Sequence, residues 1–208
     1  MKLIDLSHTI ETGMTTYPGT PGPKLIRIAT HNTNGYAELH LTLTTHTGTH
    51  LDAPFHMLEH GQKITDLAVD RFFGKAVVVK PSGESFTVGD VKPALEKGAD
   101  FVLLFTGMQK HWNTDDYFGD YPVLTLEAAR LLASSEIKGV GIDAISIDKP
   151  DASEFVLHKT LLSAGLVIIE NLTGLDALPD GELFTLAVFP LKIKDGDGSP
   201  VRAVAILD

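Results

Sequence analysis

The stretch from His46 to His56 reads HTGTHLDAPFH and constrains the chain more than any other segment. Gly48 and Pro54 lie inside it, so a regular helix through these residues is disfavoured. Just upstream, Leu39 to Leu43 reads Leu-His-Leu-Thr-Leu. That strict alternation predicts a half-buried strand delivering the chain to His46. The motif is therefore expected at a strand end and in the following loop, where a scaffold can present side chains to a ligand. Three histidines and an aspartate brought together form a ligand set for a divalent metal such as zinc or manganese. A bound metal acidifies water and polarises carbonyls, so the segment points to hydrolysis. A lone histidine is usually a surface or packing residue, and that is the expectation for His8, His31, His40, His60 and His111. His46, His50, Asp52 and His56 differ because they cluster beside chain-bending residues.

The 208 residues suffice for one domain with a substantial core, taken as 1–208. Lys plus Arg number 17 against 27 Asp plus Glu, a net charge of -10 without a basic cluster. Neither a nucleic-acid nor a membrane partner is expected, since both need a positive face. The absence of cysteine excludes disulfides, thiolate-bound zinc and a thiol nucleophile, and suits a cytoplasmic location. The opening MKLIDLSHTIE lacks a signal-like apolar run, and stretches such as Phe101 to Phe105 are too short to span a bilayer.

Strands are expected at 1–6, 76–79, 101–105, 140–142, 166–169, 184–188 and 201–207, from short apolar and β-branched runs. Residues 91–97 read as a helix stopped by Gly98, and Thr125 as the cap of a helix reaching about Ser134. The Pro- and Gly-rich segment 12–24 and the stretch 107–122 read as loops. Strands outnumber helices without a persistent βαβ rhythm. This suggests a mixed α/β fold with a large sheet or barrel-like part, not a doubly wound nucleotide fold.

Glu170 ends the apolar run Leu166 to Ile169, and a carboxylate there is costly unless a cation or donor meets it. Taken alone, a strand end emerging into solvent is an equal reading, and His158 before KTLLSAG reads as a surface helix residue.

The chain resembles the metal-dependent hydrolases of the putative cyclase family, which includes bacterial kynurenine formamidases and isatin hydrolases. The likeness covers nearly the whole chain: IDLSHTI, Tyr17-Pro18-Gly19, HTGTHLDAPFH, TGMQKHW, GIDAISID and HKTLLSAGLVIIENLTGLD occur in the family's order. The resemblance implies a single-domain swivelling β/β/α fold with a barrel-like sheet, and two divalent ions per chain, Zn2+ first and Mn2+ as the alternative. His46, His50 and Asp52 would hold one ion, and Asp52, His158 and Glu170 the other, with Asp52 bridging. His56 matches the family's proton donor and acceptor, and Tyr17 its substrate-contacting position.

The implied reaction is attack of metal-acidified water on an amide carbonyl, with His56 carrying a proton to the departing nitrogen. The implied substrate is N-formyl-L-kynurenine, giving L-kynurenine and formate. The implied assembly is a homodimer or tetramer with neighbouring chains near the site. Kynurenine formamidases commonly carry tryptophan where this chain has Tyr17, and aspartate where it has Thr20. Related chains often have an aromatic residue at the place of Met108. These departures keep a cyclic amide or lactone, as in isatin hydrolysis, as the alternative substrate. Rivals of another class are a mononuclear iron oxygenase, built on two histidines and a carboxylate, and a non-catalytic protein with a closed structural metal. Asp143 and Asp148 read as turn acids at a strand end, and Trp112 as packing.

Overall fold

Short apolar runs buried on both faces organise the fold. The computed structural model describes residues 1–207. The elements run β1 (Lys2–Asp5), β2 (Lys24–Ala29), the one-turn helix α1 (His31–Asn34), β3 (Glu38–Thr42), β4 (His50–Asp52) and β5 (Phe73–Val79). Then follow α2 (Val88–Glu96), β6 (Phe101–Leu104), α3 (Leu126–Ala133), β7 (Gly139–Ile142), α4 (Val156–Ser163), β8 (Val167–Glu170), β9 (Phe184–Ala187), β10 (Gly198–Pro200) and β11 (Val204–Leu207). One nine-stranded sheet has the order β1-β11-β9-β5-β6-β7-β8-β4-β10. Its centre, β5 to β8, is parallel, and both wings are antiparallel.

Alternate residues of the central strands serve two cores. Val77, Val79, Val102, Leu104, Val140 and Ile168 face the layer of α2, α3 and α4. Ala76, Val78, Phe101, Leu103, Val167 and Ile169 face the other way, into the hollow of the sheet with Leu51 and Leu186. Strands covered on both sides read as continuous apolar runs, which is why these were legible in the sequence. The antiparallel wings curl round that hollow into a half-barrel. Leu6 N–H donates to Ala203 C=O at 2.9 Å, Thr173 N–H to Leu6 C=O at 3.1 Å, and Val201 N–H to Thr49 C=O at 3.0 Å. The mixed α/β fold with a barrel-like sheet is thus as expected.

Three expectations need correction. A βαβ rhythm does persist, because α2, α3 and α4 each cross between neighbouring parallel strands. Four-residue strands and the long connection after β6 concealed it. Residues 38–42 do form a strand, but every residue of it is exposed. β3 pairs only with β2, in a separate two-stranded sheet projecting from the body. The third concerns 201–207, which splits: β11 starts at Val204, and residues 198–200 form β10, an edge strand of Gly-Ser-Pro with no β-forming side-chain signal.

Candidate metal centre

β4 carries the heart of the site. His50 and Asp52 are two residues apart, so they share one face of the strand, while Leu51 between them fills the hollow. β4 lies between β8 and β10, with His50 opposite Glu170, Asp52 opposite Ile168, and Gly198 opposite Asp52. The antiparallel register therefore sets Glu170 beside His50, on the face that meets α4. His158 lies in the first turn of α4 and is buried, not the surface residue its local sequence suggests. The start of that helix is fixed by Asp148, whose carboxylate accepts from the backbone N–H groups of Leu157 (2.9 Å) and His158 (3.0 Å). Gly48, at φ 63°, turns the chain between His46 and β4.

Each of three imidazoles ties one nitrogen outward and aims the other at Asp52. His50 Nδ1 lies 2.8 Å from the Gly48 carbonyl, and its Nε2 lies 3.3 Å from Asp52 Oδ1. His158 Nδ1 lies 2.7 Å from Asp148 Oδ2, and its Nε2 lies 3.7 Å from Asp52 Oδ2 and 3.2 Å from Glu170 Oε1. His46 Nε2 lies 2.9 Å from Asp197 Oδ2, and its Nδ1 lies 2.8 Å from Asp52 Oδ1. Outward acceptors of this kind fix the tautomer of metal-binding histidines. Asp52 is 0% exposed, and neither of its oxygens makes a hydrogen bond of proper geometry. A buried carboxylate is expensive to hold, and the three imidazole nitrogens gathered round it make with it a donor set that fits a cation. Its Oδ1 faces His46 and His50, and its Oδ2 faces His158.

The electrostatics agree with that fit. Burial disfavours the charged form of His46, but the nearby Asp52 charge and the hydrogen bond to Asp197 outweigh it and raise the ring to about 10. Burial likewise opposes charge on His158, yet the hydrogen bond to Asp148 and the nearby carboxylates of Asp52 and Glu170 push it up to about 12. Burial would raise the Asp52 carboxyl, but the charges of His46 and His50 hold it well below the usual carboxylate range. Both shifts come from the carboxylates gathered round these rings, and a bound cation would compete with protons for the same nitrogens.

His56 follows Pro54 in a single 3-10 turn at the cavity rim, its ring 4.0 Å from that of His46 and 5.9 Å from that of His158. His46, Asp52 and His56 present ligand atoms within 4.8 Å of one another, as do His50, Asp52 and Glu170, so geometry alone also admits His56 as a ligand. A cavity of about 370 Å³ opens over these groups, walled by Tyr17, Met57, Ile145 and Phe155. The six sequence-singled site residues other than Asp52 line this cavity: His46, His50, His56, His158, Glu170 and Tyr17. Met108 is buried among helix-side core residues instead, so the difference from related chains at that place does not touch the cavity wall.

Two acids were not assigned to the site from sequence. Asp148 is no mere turn acid, since it holds both the α4 terminus and His158. Asp197 lies 141 residues from His56 and 151 from His46 in sequence, and the pairing of β10 with β4 reveals it. Asp143 does serve a loop: it accepts from Thr106 N–H (2.6 Å) and Gly107 N–H (2.9 Å). Asn171, at φ 57°, bridges Tyr117 Oη to the Gly48 carbonyl, bracing the turn under His50.

His8 and Trp112 stack at 3.9 Å and 6°, a packing contact as expected of both. Burial lowers His8 from 6.5 to about 4. The folded chain keeps this ring neutral while the unfolded chain protonates it, so its contribution is complete above pH 6.5 and lost as pH falls towards 4. Trp112 is the sole tryptophan. Its emission should stay flat through pH 6.5 and change near pH 4, and His8→Gln should remove that step. A midpoint at 6.5 would contradict the burial account.

The family model described as "Putative cyclase" matches residues 4–149. The kynurenine formamidase of Bacillus mycoides (strain KBAB4) is 34% identical over 203 residues, covering 97% of this chain and 95% of that protein. The chain belongs to the cyclase family. It is a hydrolase acting on carbon–nitrogen bonds, as its relatives' names indicate. Among solved cyclase-family folds, isatin hydrolase A from Labrenzia aggregata superposes with TM-score 0.84 at 26% identity, covering 98% of this chain and 93% of that one. A structure described as a predicted metal-dependent hydrolase from Bacillus stearothermophilus superposes with TM-score 0.78 at 30% identity, covering 98% and 97%. No helix among the described residues is long and apolar enough to cross a membrane.

Proposed function

We propose that this chain is a two-metal amide hydrolase that cleaves N-formyl-L-kynurenine with water to L-kynurenine and formate. The observation that carries this function is the fully buried Asp52 carboxylate, with three imidazole nitrogens and Glu170 turned towards the same space. His46, His50 and Asp52 would hold one ion, and Asp52, His158 and Glu170 the second, with Zn2+ the proposed metal and Mn2+ the alternative. Bound there, such ions supply acidified water and a polarised carbonyl. His56, at the rim, moves the proton to the departing amine, a role suited to imidazole. Tyr17 and Phe155 offer aromatic faces to the aryl ring, and Met57 and Ile145 help exclude water from it.

The formyl substrate is supported by the full-length likeness to the kynurenine formamidase. A cyclic amide or lactone is the second reading, favoured by Tyr17 and Thr20 on the cavity wall, where the family's formamidases commonly have tryptophan and aspartate. Turnover of N-formyl-L-kynurenine against isatin, with Zn2+ and with Mn2+, separates the two. Preferred cleavage of isatin would overturn the formamide assignment. Hydrolysis undiminished under anaerobic conditions would exclude the iron oxygenase.

Glu170→Ala should lower bound metal from two ions per chain towards one, as read by elemental analysis. Two ions retained would remove Glu170 from the ligand set. The same change also orphans the buried Ile147 N–H, which donates to Glu170 Oε1 at 2.8 Å, and should cost about 1–3 kcal/mol of stability.

The proposed partners are a small amide and further copies of the chain, as a dimer or tetramer in the cytoplasm. The projecting β2–β3 hairpin supports self-association: Ile26, Ile28, Leu39 and Leu41 are exposed on it, and a lone two-stranded hairpin is marginal in water.

A further inference from the structure

We propose that Asp197 is the positioning carboxylate that links the metal-holding His46 to the proton-carrying His56. This assignment rests on the metal function of the site given above. A single oxygen, Asp197 Oδ2, lies 2.9 Å from His46 Nε2 and 3.5 Å from His56 Nδ1. Holding the proton of His46 on Nε2 leaves Nδ1 as the nitrogen that faces Asp52 at 2.8 Å, the side on which an ion would be held. The same oxygen sets the orientation of the second ring, only 4.0 Å away and tilted by 39°.

The backbone shows that this carboxylate is held in place. Asp197 C=O accepts from Ala53 N–H at 2.8 Å, and Gly196 C=O accepts from Ile64 N–H at 2.9 Å, so the turn before β10 is tied both to the motif and to the segment that follows it. The next residue is Gly198, where a Cβ would lie 2.9 Å from His46 Cε1. The lack of a side chain there lets the strand pass beneath the imidazole and deliver the carboxylate to its far nitrogen. Asp195, at φ 58°, completes the bend and is fixed by Lys63 Nζ at 2.6 Å. The ion-pair contacts of Asp197 are to the imidazoles of His46 and His56, and it acts through those two rings.

The test uses Asp197→Asn and Asp197→Ala, each alone and combined with His56→Ala, with Zn2+ affinity read by chelator competition and kcat read at saturating Zn2+. Affinity should fall about 10–100-fold in Asp197→Ala, with a smaller loss in the isosteric Asn variant, whether or not His56 is present. At saturating metal, kcat should fall at least about fivefold, and this loss should vanish once His56 is already alanine. A purely structural role would lower kcat in both backgrounds alike, and would overturn the link. Weaker metal binding with unchanged kcat would also overturn the link to His56, leaving only a bond to His46. Wild-type affinity and kcat in both variants would overturn the Asp197 role itself. Failure of the wild-type protein to bind Zn2+ would instead defeat the metal function on which the role depends. The Asn variant keeps the side chain's size, so a folding failure of Asp197→Ala leaves the comparison intact.

Discussion

Replacing Asp52 with alanine should leave the protein unable to retain either metal ion and without measurable turnover. Among the described residues, Asp52 is the one carboxylate approached by nitrogens of His46, His50 and His158 together, at 2.8, 3.3 and 3.7 Å. Loss of a hydrogen-bond partner behind a ligand already costs about 10–100-fold in metal affinity, so loss of a shared ligand should exceed that range. The metal-free variant should also be less stable. His46 and His158 are raised to about 10 and 12 largely by the carboxylates around them, and removal of one buried partner of a charge pair typically costs about 3–5 kcal/mol. Asp52→Asn, which keeps the shape, should lose metal almost as completely with a smaller stability loss. Elemental analysis after dialysis, with denaturant unfolding alongside, checks both. Retention of two ions by either variant would refute a bridging role.

Alanine at His56 should have the opposite profile: metal content unchanged, and kcat lower by about 10²–10⁴-fold, the range of a lost general acid–base group. The contrast is sharp because both residues sit in one short motif. His56 is on a 3-10 turn at the rim with its side chain a quarter exposed, whereas Asp52 is fully buried in β4. Because His56 also comes within ligand distance of His46 and Asp52, its metal content is the deciding number. A drop in bound metal would make it a ligand, and unchanged turnover would remove its proton role.

The motif announced its chemistry in sequence because its information is local. His50 and Asp52 alternate along a strand, and Gly48 and Pro54 bound the segment in which they sit. The central strands were legible for the same reason, since burial on both faces leaves unbroken apolar runs. What was not legible depends on pairing between distant segments. His158 and Glu170 converge on Asp52 only through the β4–β8 register and the docking of α4. Their placement came from family likeness, not from the residues themselves. Asp148 looked like a turn acid because a cap for a helix nine residues later has no local signature. Asp197 was invisible because β10 is a Gly-Ser-Pro edge strand, defined by hydrogen bonds to β4 rather than by side chains that favour strands. The β3 alternation misled in a different way, since Leu39 and Leu41 do lie on one face, but that face is not covered by this chain's own core.

A crystal of the zinc-loaded protein, measured on both sides of the zinc absorption edge, tests the two-metal centre most directly. The expected map has two anomalous peaks, one between Asp52 Oδ1 and the nitrogens of His46 and His50, the other between Asp52 Oδ2, His158 and Glu170. A single peak with a closed shell of protein ligands, or no peak at Asp52, would contradict it.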